Sequence, residues 1–160
     1  MANIQFNIAK GRVVELYNRV KSSDPTNAVF YVHLLKASEA DATLEDYDDY
    51  AAMILAAGNT SADFTNYAVV TWSDTELAAL PGPNDTTNQY ELDFPDLVYT
   101  DAGGAANNTL TKVIISYDSD STVGTNVDSN VIPLMAFDYT GTTDGSTITL
   151  QFPADAFAAA

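Results

Sequence analysis

From Phe64 to Phe152 the sequence is cut into short apolar runs by clusters of turn-forming residues. The runs are residues 64–72, 90–94, 97–99, 110–117, 131–139 and 147–152, and all are rich in β-branched and aromatic side chains. Between them lie Pro81-Gly82-Pro83-Asn84-Asp85, Gly103-Gly104, Asp118 to Asn130 and Gly141 to Gly145. Runs of this length bounded by Gly, Pro, Asn and Asp read as strands joined by turns. The pattern predicts a mostly β fold, an antiparallel β-sandwich of about eight short strands with one or two helices packed on it.

The N-terminal third fits that frame. Ile4, Phe6 and Ile8 alternate with polar residues, the period of a half-buried strand, before Gly11 interrupts. Val13, Val14, Leu16, Tyr17 and Val20 form a helical stripe, although their β-branched content also permits a strand. After the turn formers of residues 22–27, the stretch from Ala28 to Leu35 is apolar on both faces, as in a strand buried at the centre of a sheet. One helix is predicted beyond it, capped by Thr43, with Leu44, Tyr47, Ala51, Ile54 and Leu55 on its apolar face and Gly58 as its stop.

A chain of 160 residues, 46% apolar, has the size and buriable surface of a single domain spanning 1–160, with a short basic N-terminal segment and an Ala-rich arm from Ala154 to Ala160. It holds no cysteine, so packing rather than disulfides or thiolate-bound metal must secure the core. The N-terminus lacks a basic region followed by a long apolar run, and no stretch approaches the ~18 apolar residues needed to span a bilayer. Neither secretion by a signal peptide nor membrane embedding is expected. The Asn-x-Ser/Thr matches at Asn59, Asn84 and Asn107 therefore read as turn chemistry.

The net charge of −16 is unevenly placed. Up to Lys36 the balance is +3, from Lys10, Arg12, Arg19, Lys21 and Lys36 against Glu15 and Asp24; from Ala37 onward it is −19, with Lys112 the lone cation. A surface that acidic repels phosphate backbones and anionic headgroups, so neither nucleic acid nor membrane is expected as a partner. Lys10, Arg12, Arg19 and Lys21 are the candidates for docking on another protein.

Residues able to carry chemistry are few. His33 is the single histidine, lies in the most apolar strand and has no serine in a Gly-x-Ser-x-Gly elbow to partner it, so it reads as a core residue. Glu45, Asp46, Asp48 and Asp49 form the densest carboxylate cluster, which solvation and a helix N-terminus explain without a glycosidase-type pair. Oxygen side chains around Gly124 bear a loose likeness to a calcium loop and make Asp118, Asp120, Asn126 and Asp128 the metal candidates, but the glycine falls seventh rather than sixth and strands flank the loop. Gly103-Gly104 lacks the lysine of a phosphate-binding loop, and Trp72 could head a sugar-stacking platform or sit in the core. No catalytic set or cofactor site emerges, and the chain reads as a binding protein rather than an enzyme.

Several segments resemble small proteins encoded among the structural genes of tailed bacteriophages. They are Ala-Lys-Gly-Arg-Val-Val-Glu (9–15), Asp-Pro-Thr-Asn-Ala (24–28) leading into Val-His-Leu-Leu-Lys (32–36), Ala-Asp-Ala-Thr-Leu-Glu-Asp-Tyr-Asp (40–48), Phe-Thr-Asn-Tyr-Ala (64–68), Gly-Gly-Ala-Ala-Asn-Asn-Thr-Leu (103–110) and Val-Ile-Pro-Leu (131–134). The resemblance implies a virion structural protein made in the host cytoplasm, in first place a capsid decoration or cement protein. The implied partners are the major capsid protein or other virion proteins, and further copies of the chain in a dimer or trimer. A neck or tail component, or a carbohydrate-binding or adhesive module, are the alternatives. Such a protein would dock through its basic N-terminal region and adjoining edge strand, with the acidic remainder facing solvent.

Overall fold

The strand that is apolar on both faces lies at the centre of the sheet. In a computed structural model that describes residues 3–152, it forms β2 (Val29–Ala37), every residue from Val29 to Leu35 being buried. Upstream lie β1 (Asn3–Gln5), a 3-10 turn (Asn7–Ala9) and α1 (Val13–Lys21). Downstream follow α2 (Asp41–Leu44), α3 (Tyr50–Leu55), β3 (Thr60–Ser61), β4 (Val70–Trp72), α4 (Asp74–Leu77), β5 (Pro83–Asn84), β6 (Gln89–Tyr90), β7 (Leu97–Tyr99), β8 (Thr109–Asp118), β9 (Ile132–Thr142) and β10 (Ile148–Leu150). The main antiparallel sheet runs β1-β9-β8-β2-β3, with β4 also paired to β2; β7 with β10 and β5 with β6 form two small ribbons. The expectation of a mostly β, antiparallel fold with few helices holds.

Register fixes what each face of the sheet carries. Phe30 lies opposite Tyr117 and Trp72, Val32 opposite Ile115, and Val113 opposite Phe137, so one face is apolar and aromatic. Tyr17 of α1, Phe94 and Phe152 cover it: Phe94 lies 5.7 Å from both Phe30 and Trp72, and Phe152 lies 5.6 Å from Trp72 and 5.2 Å from Phe137 between ring centres. Phe152 lies two residues beyond the end of β10 and ties the β7–β10 ribbon to this face. The opposite face presents Tyr31, His33 and Leu35 beside Ser116, Ile114 and Lys112, and is covered by the segment bearing α2 and α3, whose Leu44, Tyr50 and Met53 are fully buried.

Two local expectations are corrected, and one left open is settled. The single helix from Thr43 to Gly58 is two: α2 ends at Leu44, and α3 starts after Asp49, whose carboxylate accepts the Ala52 N–H at 2.7 Å. Aspartates at 46, 48 and 49 favour turns and caps over helix interiors, and Tyr50 donates its backbone N–H to the Val131 carbonyl, so tertiary pairing holds the break open. Thr43 caps nothing, and Leu55 is 84% exposed instead of lying on an apolar face. The run 64–72 pairs only over Val70–Trp72, and 90–94 only at Tyr90, because Phe64 and Phe94 spend their apolar surface on the core without joining a ladder. The ambiguous segment after Gly11 is a helix, with Val13, Leu16, Tyr17 and Val20 inward.

If Asp49 is the helix start, Asp49→Ala should cost about 1 kcal/mol in a denaturant titration, whereas Thr43→Ala should stay within about 0.5 kcal/mol of wild type.

Candidate functional site

The buried polar residues gather on the face of the sheet covered by α2 and α3. His33, 1% exposed, stacks on Tyr50 with ring centres 3.8 Å apart, and its Nε2 lies 3.1 Å from Ser116 Oγ on the neighbouring strand. Burial strips water from any imidazolium and drives the His33 pKa down to about 3, so the ring is neutral at ordinary pH. Its burial beneath Tyr50 agrees with its reading as a core residue.

One row along the same face, Lys112 Nζ lies 2.6 Å from Asp41 Oδ1 of α2 and contacts Asp138 Oδ1 on β9. The lysine side chain is 6% exposed, against 36% and 43% for the two carboxylates. Burial works to lower its pKa, but the hydrogen bonds and charges of Asp138 and Asp41 outweigh that and hold it above the usual lysine range. In the sequence Lys112 stands out only as the lone cation of the acidic region; nothing local connects it to either aspartate.

The 118–130 loop is built from side-chain-to-backbone turns. Asp118 Oδ1 accepts the Asp120 N–H, Asp120 Oδ1 accepts the Thr122 N–H and hydroxyl, and the two oxygens of Asp128 accept the N–H groups of Thr125 and Asn130. The bonds to Asp120, Thr122 and Asn130 are Asx turns, in which aspartate accepts from the backbone two residues on. Asp118 Oδ2 is buried without a hydrogen-bond partner; burial raises its pKa, and the nearby Asp128 and Asp120 charges add to the rise. Asn126 lies in the same loop, and its side chain enters none of these turns. Among the described residues no group of three or more His, Asp or Glu side chains is gathered closely enough to hold a metal ion.

The basic docking candidates divide. Lys21 turns inward, its Nζ donating to the carbonyls of Leu77, Ala78 and Leu80, where it caps the C-terminal end of α4. Lys10 donates to Asn7 and reaches Glu45 at 3.5 Å, and Arg19 pairs with Glu15 one helical turn back at 2.9 Å. Arg12, at the N-cap of α1, is exposed and makes no ion pair among the described residues. The carboxylate cluster is likewise dispersed: Glu45 faces Lys10, Asp46 accepts from Asn7 and Asp49 caps α3.

Trp72 is 3% exposed between Phe94 and Phe152, so it offers no sugar-stacking platform. Asn59 is buried and bonded to Glu39 and the Met53 carbonyl, while Asn84 and Asn107 accept backbone N–H groups of their own turns, as their sequence setting implies. A cleft of 260 Å³ opens between β9 and β10, with Val113, Phe137, Asp138, Tyr139, Leu150 and Phe152 among its lining residues. Among the described residues no helix is long and apolar enough to cross a membrane. No protein-family model, curated protein or solved structure matches the chain.

Two measurements check this description. Because unfolding raises the His33 pKa from about 3 toward its free value, the unfolded chain binds the extra proton as pH falls below about 6.5, and stability drops with it. The stability gap between wild type and His33→Gln should therefore narrow from about pH 6.5 to 4.5, measured by urea titration at each pH. For the loop, calcium and a chelator should give the same melting temperature, since Asp120 and Asp128 already serve backbone N–H groups.

Proposed function

We propose that this chain is a structural component of a tailed-phage virion, in first place a decoration or cement protein bound to the outside of the head. The observation that carries the reading is how its polar side chains are used. The histidine, the buried lysine and the loop carboxylates bond to the protein's own backbone and side chains, so what they serve is a rigid body. The surface beyond them is strongly acidic, and segments such as residues 9–15, 40–48 and 103–110 resemble small structural proteins of tailed phages.

Docking through the N-terminal region fits the geometry in a narrower form than four equivalent cations. β1 is the edge strand of the main sheet, and the exposed Arg12 and Lys10 follow it within a turn. An edge strand flanked by cations suits an acidic, extended segment on a shell subunit, since strand addition supplies affinity and opposite charge speeds encounter. Deleting the N-terminal segment would be a poor test, because Phe6 is fully buried and its N–H bonds to Leu134.

The decisive experiment mixes the purified chain with particles lacking it and measures occupancy. A copy number comparable to that of the shell subunits is expected, and the double change Lys10→Glu with Arg12→Glu should weaken binding by about tenfold or more at low salt, with a smaller effect as salt rises. Copies confined to the neck or tail would move the protein there. Binding unchanged by the charge reversal would remove the N-terminal region as the contact.

A further inference from the structure

We propose that Lys112 and Asp138 are joined by an intramolecular amide bond, closed by the chain itself with Asp41 as proton carrier. Lys112 and Asp138 are directly opposed residues on β8 and β9, so both side chains project from the same face of the sheet at cross-strand distance. The lysine nitrogen touches the Asp138 carboxylate and lies 2.6 Å from the carboxylate of Asp41, which comes from α2 in the covering layer. An amine buried to 6% exposure is thereby held between a carboxyl group on the adjacent strand and a second carboxylate from the opposite layer. The three donors of the ammonium serve both carboxylates, and Asp41 is thereby placed as an acid–base group beside the reacting pair.

The reaction needs no outside reagent. The Lys112 ammonium passes a proton through Asp41 to the Asp138 carboxylate, the neutral nitrogen attacks Cγ of Asp138, and Asp41 then takes a second proton from that nitrogen and delivers it to the departing oxygen. The Nζ–Cγ bond forms, a Cγ–O bond breaks, and that oxygen leaves as water with two of the three ammonium protons. The third proton stays on the amide nitrogen, the two charges cancel and Asp41 ends as it began. The resting pair is the charged one, so only its minor neutral form can react. Fixed proximity offsets it, since well-oriented partners react at effective concentrations of about 10⁵ M or more. The exposed side of Asp138 gives the released water an exit, and a finished amide resists hydrolysis by the solvent that reaches it. In a chain without cysteine the link would tie positions 26 residues apart and limit the unfolded ensemble as a disulfide does.

Intact-mass spectrometry of the full chain under denaturing conditions tests this without any variant. The expected mass is about 18 Da below that of the sequence, with a branched peptide joining the segments around Lys112 and Asp138 on fragmentation. Lys112→Arg and Asp138→Ala should restore the full mass, and Asp41→Asn, checked as folded by circular dichroism, should leave the chain unlinked or closing more slowly. Wild type at full mass after prolonged incubation at neutral pH overturns the proposal. So does a loss of the same mass that maps to Asp144-Gly145, where succinimide formation also expels water. Closure at the wild-type rate in Asp41→Asn removes Asp41 from the reaction.

Discussion

A strand with no solvent face obliges the rest of the chain to supply two covers. β2 pairs over seven residues with β8 and over three with β4, so its backbone is satisfied within the sheet while side chains on both faces still require burial. The covers differ in kind. One is an aromatic layer assembled from Tyr17, Phe94 and Phe152, elements distant in the chain whose rings meet edge-on or offset. The other is the α2–α3 segment, which meets the sheet through Tyr50 on His33 and Asp41 on Lys112.

That difference has a structural consequence. Apolar contact is tolerant of small shifts, whereas a hydrogen bond or ion pair is met only in one register. The polar groups on the α2–α3 side therefore fix where that segment sits, and the break between α2 and α3 follows, because Tyr50 must reach both His33 and the Val131 carbonyl. A continuous helix through residues 45–49 would carry Asp49 away from its capping role and Tyr50 away from that carbonyl.

The same economy shapes the surface. Of the cations near the N-terminus, Lys21 is drawn into capping α4, Arg19 pairs with Glu15 and Lys10 with Glu45, which leaves Arg12 exposed without an ion pair among the described residues. From Ala37 onward the balance is −19 with Lys112 the one cation, so the charge of the molecule is strongly asymmetric along the chain.

The runs 97–99, 110–117 and 131–139 were legible as strands because β-branched and aromatic residues bounded by turn formers obey local rules, and the double-sided apolar run at 28–35 announced its central place for the same reason. The helix after Ala40 misled, since its apolar spacing is helical while its break answers to residues far away. Composition and local spacing determined the β class, the main turns, the absence of thiol chemistry and the split in charge. Tertiary structure alone decided that His33 meets Ser116, 83 residues on, and that Lys112 meets both Asp41 and Asp138. Those meetings depend on which strands pair and in which register, and register is set by the whole core at once rather than by any stretch of sequence short enough to read alone.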